Sequence, residues 1–320
     1  MKMNENGITP ADNPPVPASS QKMLSKSLGI KSDNVTYDLE DSVTPSLKST
    51  ARDQLRSHIS ALPSRPAGIG ELAVRVNAVS TPFALQDLTT LAPTPGVDAV
   101  VVPKVESAAD LTFVTDVLRH VAPERHADNS KNPIKIIALI ESAKAIMDLR
   151  SICKASPYLS GLVFAAEDFA LDLSITRTPS LTEFLYARSA IVTAAKAANL
   201  PSAIDLVCTS FRGEEGIKTL EEECIGGRAM GFNGKQCIHP SQVEIVQRLY
   251  APTQKEVEWA VRVSIADEKA ALSGRGAWTL DGKMIDVPVV GKAHSIVAKA
   301  KQCGFDIDEL KTKWKNQEPE

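Results

Sequence analysis

Two carboxylates, Glu141 and Asp168, each follow an apolar run, IKIIALI before the first and LSGLVFAAE before the second. If the runs are neighbouring buried strands, both acids face one cavity, where like charges repel and call for a shared proton or a hard cation. Magnesium suits so sparse an oxygen set, because waters and substrate oxygens complete its octahedron. Either acid alone reads also as a helix N-cap or an ion-pair partner; together they favour the metal. Glu167, beside Asp168, would point to the opposite side of an extended strand, so it is expected to support the site.

Other apolar runs also end in polar groups: Asp38, Glu40 and Asp41; Arg75 and Asn77; Lys104 and Glu106; Asp205; Lys235, Gln236 and His239. Arg75, in RVN, has the planar fork that grips a carboxylate in bidentate fashion; a structural ion pair with Asp41, Glu40 or Glu106 fits its position equally. Lys22 and Lys26 are four apart, after a Ser19-Ser20 cap signal, and so share a helix face. Two solvated lysines are the simpler reading, and contacts to a phosphate-bearing ligand such as coenzyme A the alternative. His239, in IHP, reads as a base or as a structural hydrogen-bonding group. Asp286 lies in KMIDVPVV; apolar surroundings would raise its pKa toward general acid or base work, whereas a solvated turn would not.

What must position these groups is a repeat of short β-rich runs and amphipathic segments. The runs cover 35–41, 71–78, 97–107, 134–142, 159–168, 203–211 and 228–240, and they are near-continuously apolar, as parallel strands buried on both faces are. Helical patterns such as SLKSTARDQLRSHISAL lie between them. This predicts a (β/α)8 TIM barrel over 15–250, with a doubly wound open sheet as the alternative, since only seven runs are convincing. The first strand is degenerate or missing: Pro14, Pro15 and Pro17 crowd the place it should occupy, and proline cannot donate to a ladder. Residues 1–14 read as a disordered arm. Over 251–320 a helix, a hairpin turning at Asp281-Gly282 and a last helix from near Lys292 form an extension that packs on the barrel or on a neighbouring subunit.

The chain has 320 residues, 43% of them hydrophobic, and a formal charge of -3 from 36 basic and 39 acidic side chains. That balance argues against a nucleic-acid partner, and no apolar run approaches membrane-spanning length. Five cysteines without a CxxC pair suggest reduced thiols rather than zinc or disulfides. GIG at 68–70 is no dinucleotide fingerprint, and GxSxG, HExxH and P-loop patterns do not occur. The N-terminus shows neither a signal-peptide core nor an arginine-rich presequence, its first arginine being Arg52.

In order along the chain, DLEDSV, RVNAVST, VPKVES, IESA, FAAEDF, LYAR, AIDLV, MGFNGKQCIHPSQV and GKMIDVP resemble the HpcH/HpaI aldolase and citrate lyase family, from about Val16 to the final helix. GAW and MIDVP resemble the mitochondrial citramalyl-CoA lyase subgroup. The resemblance implies a TIM barrel, a homotrimer, magnesium, and carbon-carbon cleavage or formation next to a CoA thioester. It makes Glu141 and Asp168 the metal ligands, Arg75 the substrate carboxylate clamp and Lys22 and Lys26 the CoA contacts. Ile238 and His239 would line the substrate site, and Asp286 would be the catalytic acid or base, reaching a neighbouring subunit's site. The expected reaction is cleavage of citramalyl-CoA to acetyl-CoA and pyruvate. Malyl-CoA thioesterase or malate synthase-like chemistry uses the same parts, and a non-catalytic acyl-CoA-binding barrel is the reading from another class. The compartment it implies is the mitochondrial matrix, with the cytoplasm as the alternative. One departure stands out: family members open with a strand of the form RRALLYVPG, and here the chain reads ADNPPVPAS.

Overall fold

The computed structural model describes residues 15–320, so the arm expected over 1–14 lies outside the described residues. The described residues form two compact units, 15–250 and 251–320.

In the first unit strands and helices alternate. The chain runs β1 (Pro15–Pro17), α1 (Gln21–Ser27), β2 (Ser32–Asp38), α2 (Lys48–Ser60), β3 (Ile69–Arg75), α3 (Ala84–Leu91), β4 (Ala99–Val102) and α4 (Ala108–Val121). It continues through β5 (Lys135–Ile140), α5 (Ala143–Met147), α6 (Leu149–Ile152), β6 (Leu159–Phe164), α7 (Ala166–Leu173) and α8 (Leu185–Ala197). The last elements are β7 (Ser202–Asp205), α9 (Gly213–Met230), β8 (Gly234–Lys235) and α10 (Pro240–Tyr250). All eight strands are parallel and neighbour one another in chain order, the arrangement of a (β/α)8 barrel. Alternate residues of β3 to β7 (Ala73, Ala99, Val101, Ile137, Leu139, Val163, Ile204) form one small apolar cluster, while the larger core lies under the helices. Of the run expected as a last strand over 228–240, residues 228–230 belong to helix α9, and only Gly234–Lys235 pairs.

The eighth strand is β1, degenerate but present. It pairs with β2 in the register Pro15 to Thr36, Val16 to Tyr37 and Pro17 to Asp38, and the Ala18 N–H donates to the Asp38 carbonyl at 3.0 Å. Backbone donors alternate in direction along a strand, so Val16 and Ala18 face β2 and the two prolines occupy the positions that face away. That outer side would meet β8, yet among the described residues β1 and β8 form no ladder. The missing N–H groups therefore fall where no bond is made, as for proline on an edge strand. The seam is crossed by a side chain instead: Gln247 of α10 donates to the Lys31 carbonyl at 3.4 Å.

In the second unit α11 (Gln254–Leu272) opens with a capping box from Thr253 and Glu256. Strands β9 (Trp278–Leu280) and β10 (Lys283–Ile285) follow, joined by Asp281 and Gly282 with φ of 51° and 71°, the left-handed pair that a type I′ turn requires. Helix α12 (Val287–Gln302) starts earlier than expected, at Val287 rather than near Lys292, and a further helix, α13 (Ile307–Lys313), closes the chain. Among the described residues no helix is long and apolar enough to cross a membrane.

Candidate active site

The C-terminal ends of β2 to β6 carry a charge network. Asp38, the last residue of β2, takes Arg75 in a bidentate grip, Nε to Oδ1 and Nη2 to Oδ2, both at 2.7 Å. It also accepts the backbone N–H groups of Glu40 and Ser42. Burial works to raise Asp38, but Arg75 and these donors outweigh it and hold the carboxyl below its ordinary range. Arg75 Nη1 lies 2.9 Å from Glu40 and 3.8 Å from Asp41. Two of the ion-pair partners suggested for Arg75 are thus at hand, Asp38 is the strongest, and the third, Glu106, pairs with Lys144 instead. Lys48, the first residue of α2, donates to the Leu39 and Glu40 carbonyls at 2.7 Å each and fixes the DLED turn.

Glu141 follows β5 directly and is buried, at 5% exposure. Desolvation, then the charges of Asp168 and Glu40, push its carboxyl from 4.5 up to about 7. The backbone N–H of Lys104 donates to the Glu141 carboxylate. Lys104 has a φ of 51°, a left-handed conformation that costs a lysine backbone energy and is characteristic of functional sites. Its ammonium lies 2.5 Å from Glu40 and 3.7 Å from Asp41.

Asp168 stands elsewhere than the sequence suggested. The chain turns into α7 at Ala166, so Glu167 and Asp168 belong to a first helical turn, and strand alternation does not apply. Successive helical side chains diverge by about 100°, which still separates the two acids. Glu167 pairs with Arg177 at 2.6 Å, while Asp168 makes no side-chain hydrogen bond or ion pair among the described residues. One turn on, Asp172 accepts the backbone N–H of Ala143 at 2.8 Å, tying α7 to the segment that leaves Glu141.

No group of three His, Cys, Asp or Glu side chains gathers around one point among the described residues. The donor set is two carboxylates, Glu141 and Asp168, and burial and then the charge of Asp168 disfavour the ionised form of Glu141. A hard divalent cation that brings its own waters relieves that repulsion, so the residues present fit magnesium.

Other rim candidates separate into groups. Ile238 and His239 follow β8 on the surface, their backbone N–H groups held by Gln242 at 2.9 and 3.3 Å. The His239 ring stacks on Phe211 with centroids 5.1 Å apart, and its Nδ1 lies 2.8 Å from the Ser241 hydroxyl. Lys22 and Lys26 are exposed on α1, behind the Ser20 cap. Asp205 and Lys235 are fully buried and face the helices rather than the rim: Asp205 takes Arg188 of α8 at 3.0 and 2.6 Å, and Lys235 lies 2.8 Å from Glu223 of α9. Asp286, in the second unit, is the N-cap of α12 and accepts the Val289 N–H at 3.2 Å. Its neighbours Met284 and Val287 are exposed, at 68% and 77%, so the chain around it does not form the apolar enclosure considered from sequence.

Parallel strands in chain order, with acidic and basic side chains gathered at their C-terminal ends, are the architecture of a barrel enzyme. The chain belongs to the HpcH/HpaI aldolase/citrate lyase family, whose model matches residues 16–240. It is 37% identical to the citrate lyase subunit beta of Haemophilus influenzae over 286 residues, 89% of this chain and 95% of that protein. It is 33% identical to human mitochondrial citramalyl-CoA lyase over 294 residues, 89% of this chain and 84% of that one. Among solved structures, CitE of Mycobacterium tuberculosis in complex with magnesium, acetoacetate and coenzyme A superposes with a TM-score of 0.72 at 29% identity, covering 93% of this chain and 100% of that one. A citrate lyase of Burkholderia xenovorans matches the fold with a TM-score of 0.80.

Proposed function

We propose that the chain is a magnesium-dependent carbon-carbon lyase that cleaves a 3-hydroxy-3-carboxyacyl-CoA, with citramalyl-CoA giving acetyl-CoA and pyruvate. The observation that carries this is the pair Glu141 and Asp168 after β5 and β6, whose charges repel, with Lys104 donating its backbone N–H to Glu141. The relatives named as lyases and the magnesium and coenzyme A complex of a similar fold support it.

Glu141 and Asp168 would hold the magnesium, which when bound supplies a Lewis acid for the substrate carboxylate and the adjacent oxygen. Arg75, oriented by Asp38, offers positive charge to the substrate carboxylate from the next strands. Ile238 and His239 line the acyl portion, and Lys22 and Lys26 meet the phosphates of the CoA moiety. In cleavage the hydroxyl proton passes to solvent water, the carbon-oxygen double bond of pyruvate forms, and the electron pair of the broken carbon-carbon bond passes to the thioester as its enolate. Asp286, supplied by a neighbouring copy in a homotrimer, protonates that enolate at carbon. The resemblance of MIDVP, rather than any distance, assigns it that role.

Purified protein is given citramalyl-CoA with magnesium and with EDTA, and pyruvate and free thiol are followed separately. Magnesium-dependent pyruvate release without free thiol is expected. Free thiol without pyruvate means thioester hydrolysis, and no turnover from folded protein overturns the lyase reading.

A further inference from the structure

The side chain of Asp168 has no partner within the described chain, so only the backbone of the first turn of α7 aims it. That turn is pinned on both sides of Asp168. On one side Phe169 packs into an aromatic cluster, with ring centroids 5.3 Å from Phe164 and 6.3 Å from Phe184. On the other side Glu167 is gripped by Arg177, a residue of the loop after α7.

Arg177 makes three bonds in three directions. Nη1 donates to Glu167 at 2.6 Å, and Nη2 donates to Glu223 at 2.6 Å and to the Val207 carbonyl at 3.0 Å. The far end is rigid: Glu223 is 7% exposed, and its other oxygen lies 2.8 Å from the fully buried Lys235 of β8, although the angles there are not those of a hydrogen bond. A planar guanidinium spanning a carboxylate, a second carboxylate and a carbonyl is a pre-organised brace that a flexible ammonium cannot copy. The brace starts on β8 and α9 and ends one residue before the proposed metal ligand.

We propose that Arg177 is a positioning residue, which through Glu167 fixes the first turn of α7 and so sets the direction of the Asp168 carboxylate toward the cation. This rests on the metal assignment above. Partners that orient a ligand typically carry about 10–100-fold in metal affinity when removed, and a brace one residue away through the backbone is expected at the lower end.

The test uses the full chain and two readouts. Magnesium titration calorimetry compares the wild type with Glu167→Ala, Glu167→Gln, Arg177→Ala and Arg248→Ala, the last removing a surface ion pair to Glu221. Hydrogen exchange of the Phe169 and Ala170 amides is followed in EDTA. Glu167→Ala and Arg177→Ala are expected to weaken magnesium binding about tenfold and to speed exchange at both amides. Glu167→Gln keeps an acceptor for Arg177 and recovers most of the affinity, and Arg248→Ala changes neither readout. Glu167 is exposed, so its variants fold even where Arg177→Ala does not. Wild-type affinity in Glu167→Ala, or unchanged exchange, overturns the proposal. If the wild type binds no magnesium while the exchange difference stands, the metal assignment falls, and with it the link to Asp168, while the brace on α7 remains.

Discussion

Glu141 offers a quantitative check, because its carboxyl is pushed from 4.5 to about 7 by burial and by the neighbouring charges of Asp168 and Glu40. A cation and a proton compete for the same oxygens, so magnesium binding must release whatever proton Glu141 carries. With a pKa of about 7, release is about half a proton at neutral pH, about 0.9 one unit lower and about 0.1 one unit higher. Calorimetric titration of magnesium in buffers of different ionisation enthalpy reads this number directly. Below neutrality the apparent affinity falls about tenfold per unit. The same shift acts on stability with a definite sign. The folded chain binds the proton more tightly than the unfolded one, so in EDTA the fold is favoured below pH 4.5 and loses that advantage as pH climbs to about 7. The full swing is about 3 kcal/mol. Glu141→Gln should therefore melt above the wild type in EDTA under alkaline conditions, with the gap closing near pH 5. Proton release that is absent at pH 6, or a variant gap that does not move with pH, refutes the assignment of a protonated, cation-competing Glu141.

Three further outcomes follow from the geometry. A methyl added at Gly227 of α9 would run into Asp205 Oδ2 and lie 2.6 Å from Tyr250 Oη, and Asp205 cannot yield because Arg188 holds it. Gly227→Ala should cost about 2–3 kcal/mol, seen in thermal melts, whereas Tyr250→Phe, which removes a buried hydroxyl with no partner, should be neutral or slightly stabilising. If Asp286 serves a neighbouring copy, co-expressed Glu141→Ala and Asp286→Ala chains should recover activity that neither has alone, and no recovery in mixed oligomers places the acid elsewhere. Replacing Lys22 and Lys26 by Gln should raise KM for the acyl-CoA several-fold, as expected for exposed phosphate contacts, with kcat and magnesium affinity unchanged; an unaltered KM removes them from the CoA site.

Strands β2 to β7 were legible because parallel strands covered on both faces read as continuous apolar runs, whereas β8 keeps only Gly234–Lys235 of the run expected for it. β1 escaped that reading: its prolines look like strand breakers until the sheet shows that their missing donors face the side without a ladder. Glu141 was placed correctly at a strand end, but Asp168 was assigned to a strand because VFAAEDF stays apolar across the point where the backbone turns helical at Ala166. Asp205 and Lys235 misled in another way. Strand ends have two sides, and sequence does not say whether a charge there faces the rim or a helix carrying Arg188 or Glu223. Arg177 was missed altogether, since its partners Glu167 and Glu223 lie 10 and 46 residues away and TRTPS reads as an ordinary loop. An arginine among loop residues after an acidic helix turn was the only signal available.

The altered first strand bears on catalysis less than its position suggests. Asp38, Arg75, Lys104, Glu141 and Asp168 follow β2 to β6, and each of those strands has a ladder on both sides. The weak seam lies between β1 and β8, remote in strand order from the carboxylate pair, so local opening there leaves the proposed metal ligands just after fully bonded strands. The elements next to the seam are α1, with Lys22 and Lys26, and the Ile238-His239 loop after β8. On the proposed function these serve the CoA and acyl portions. Loss of β1 pairing should thus appear first as weaker substrate binding, with magnesium affinity retained, and the two can be measured separately on one sample.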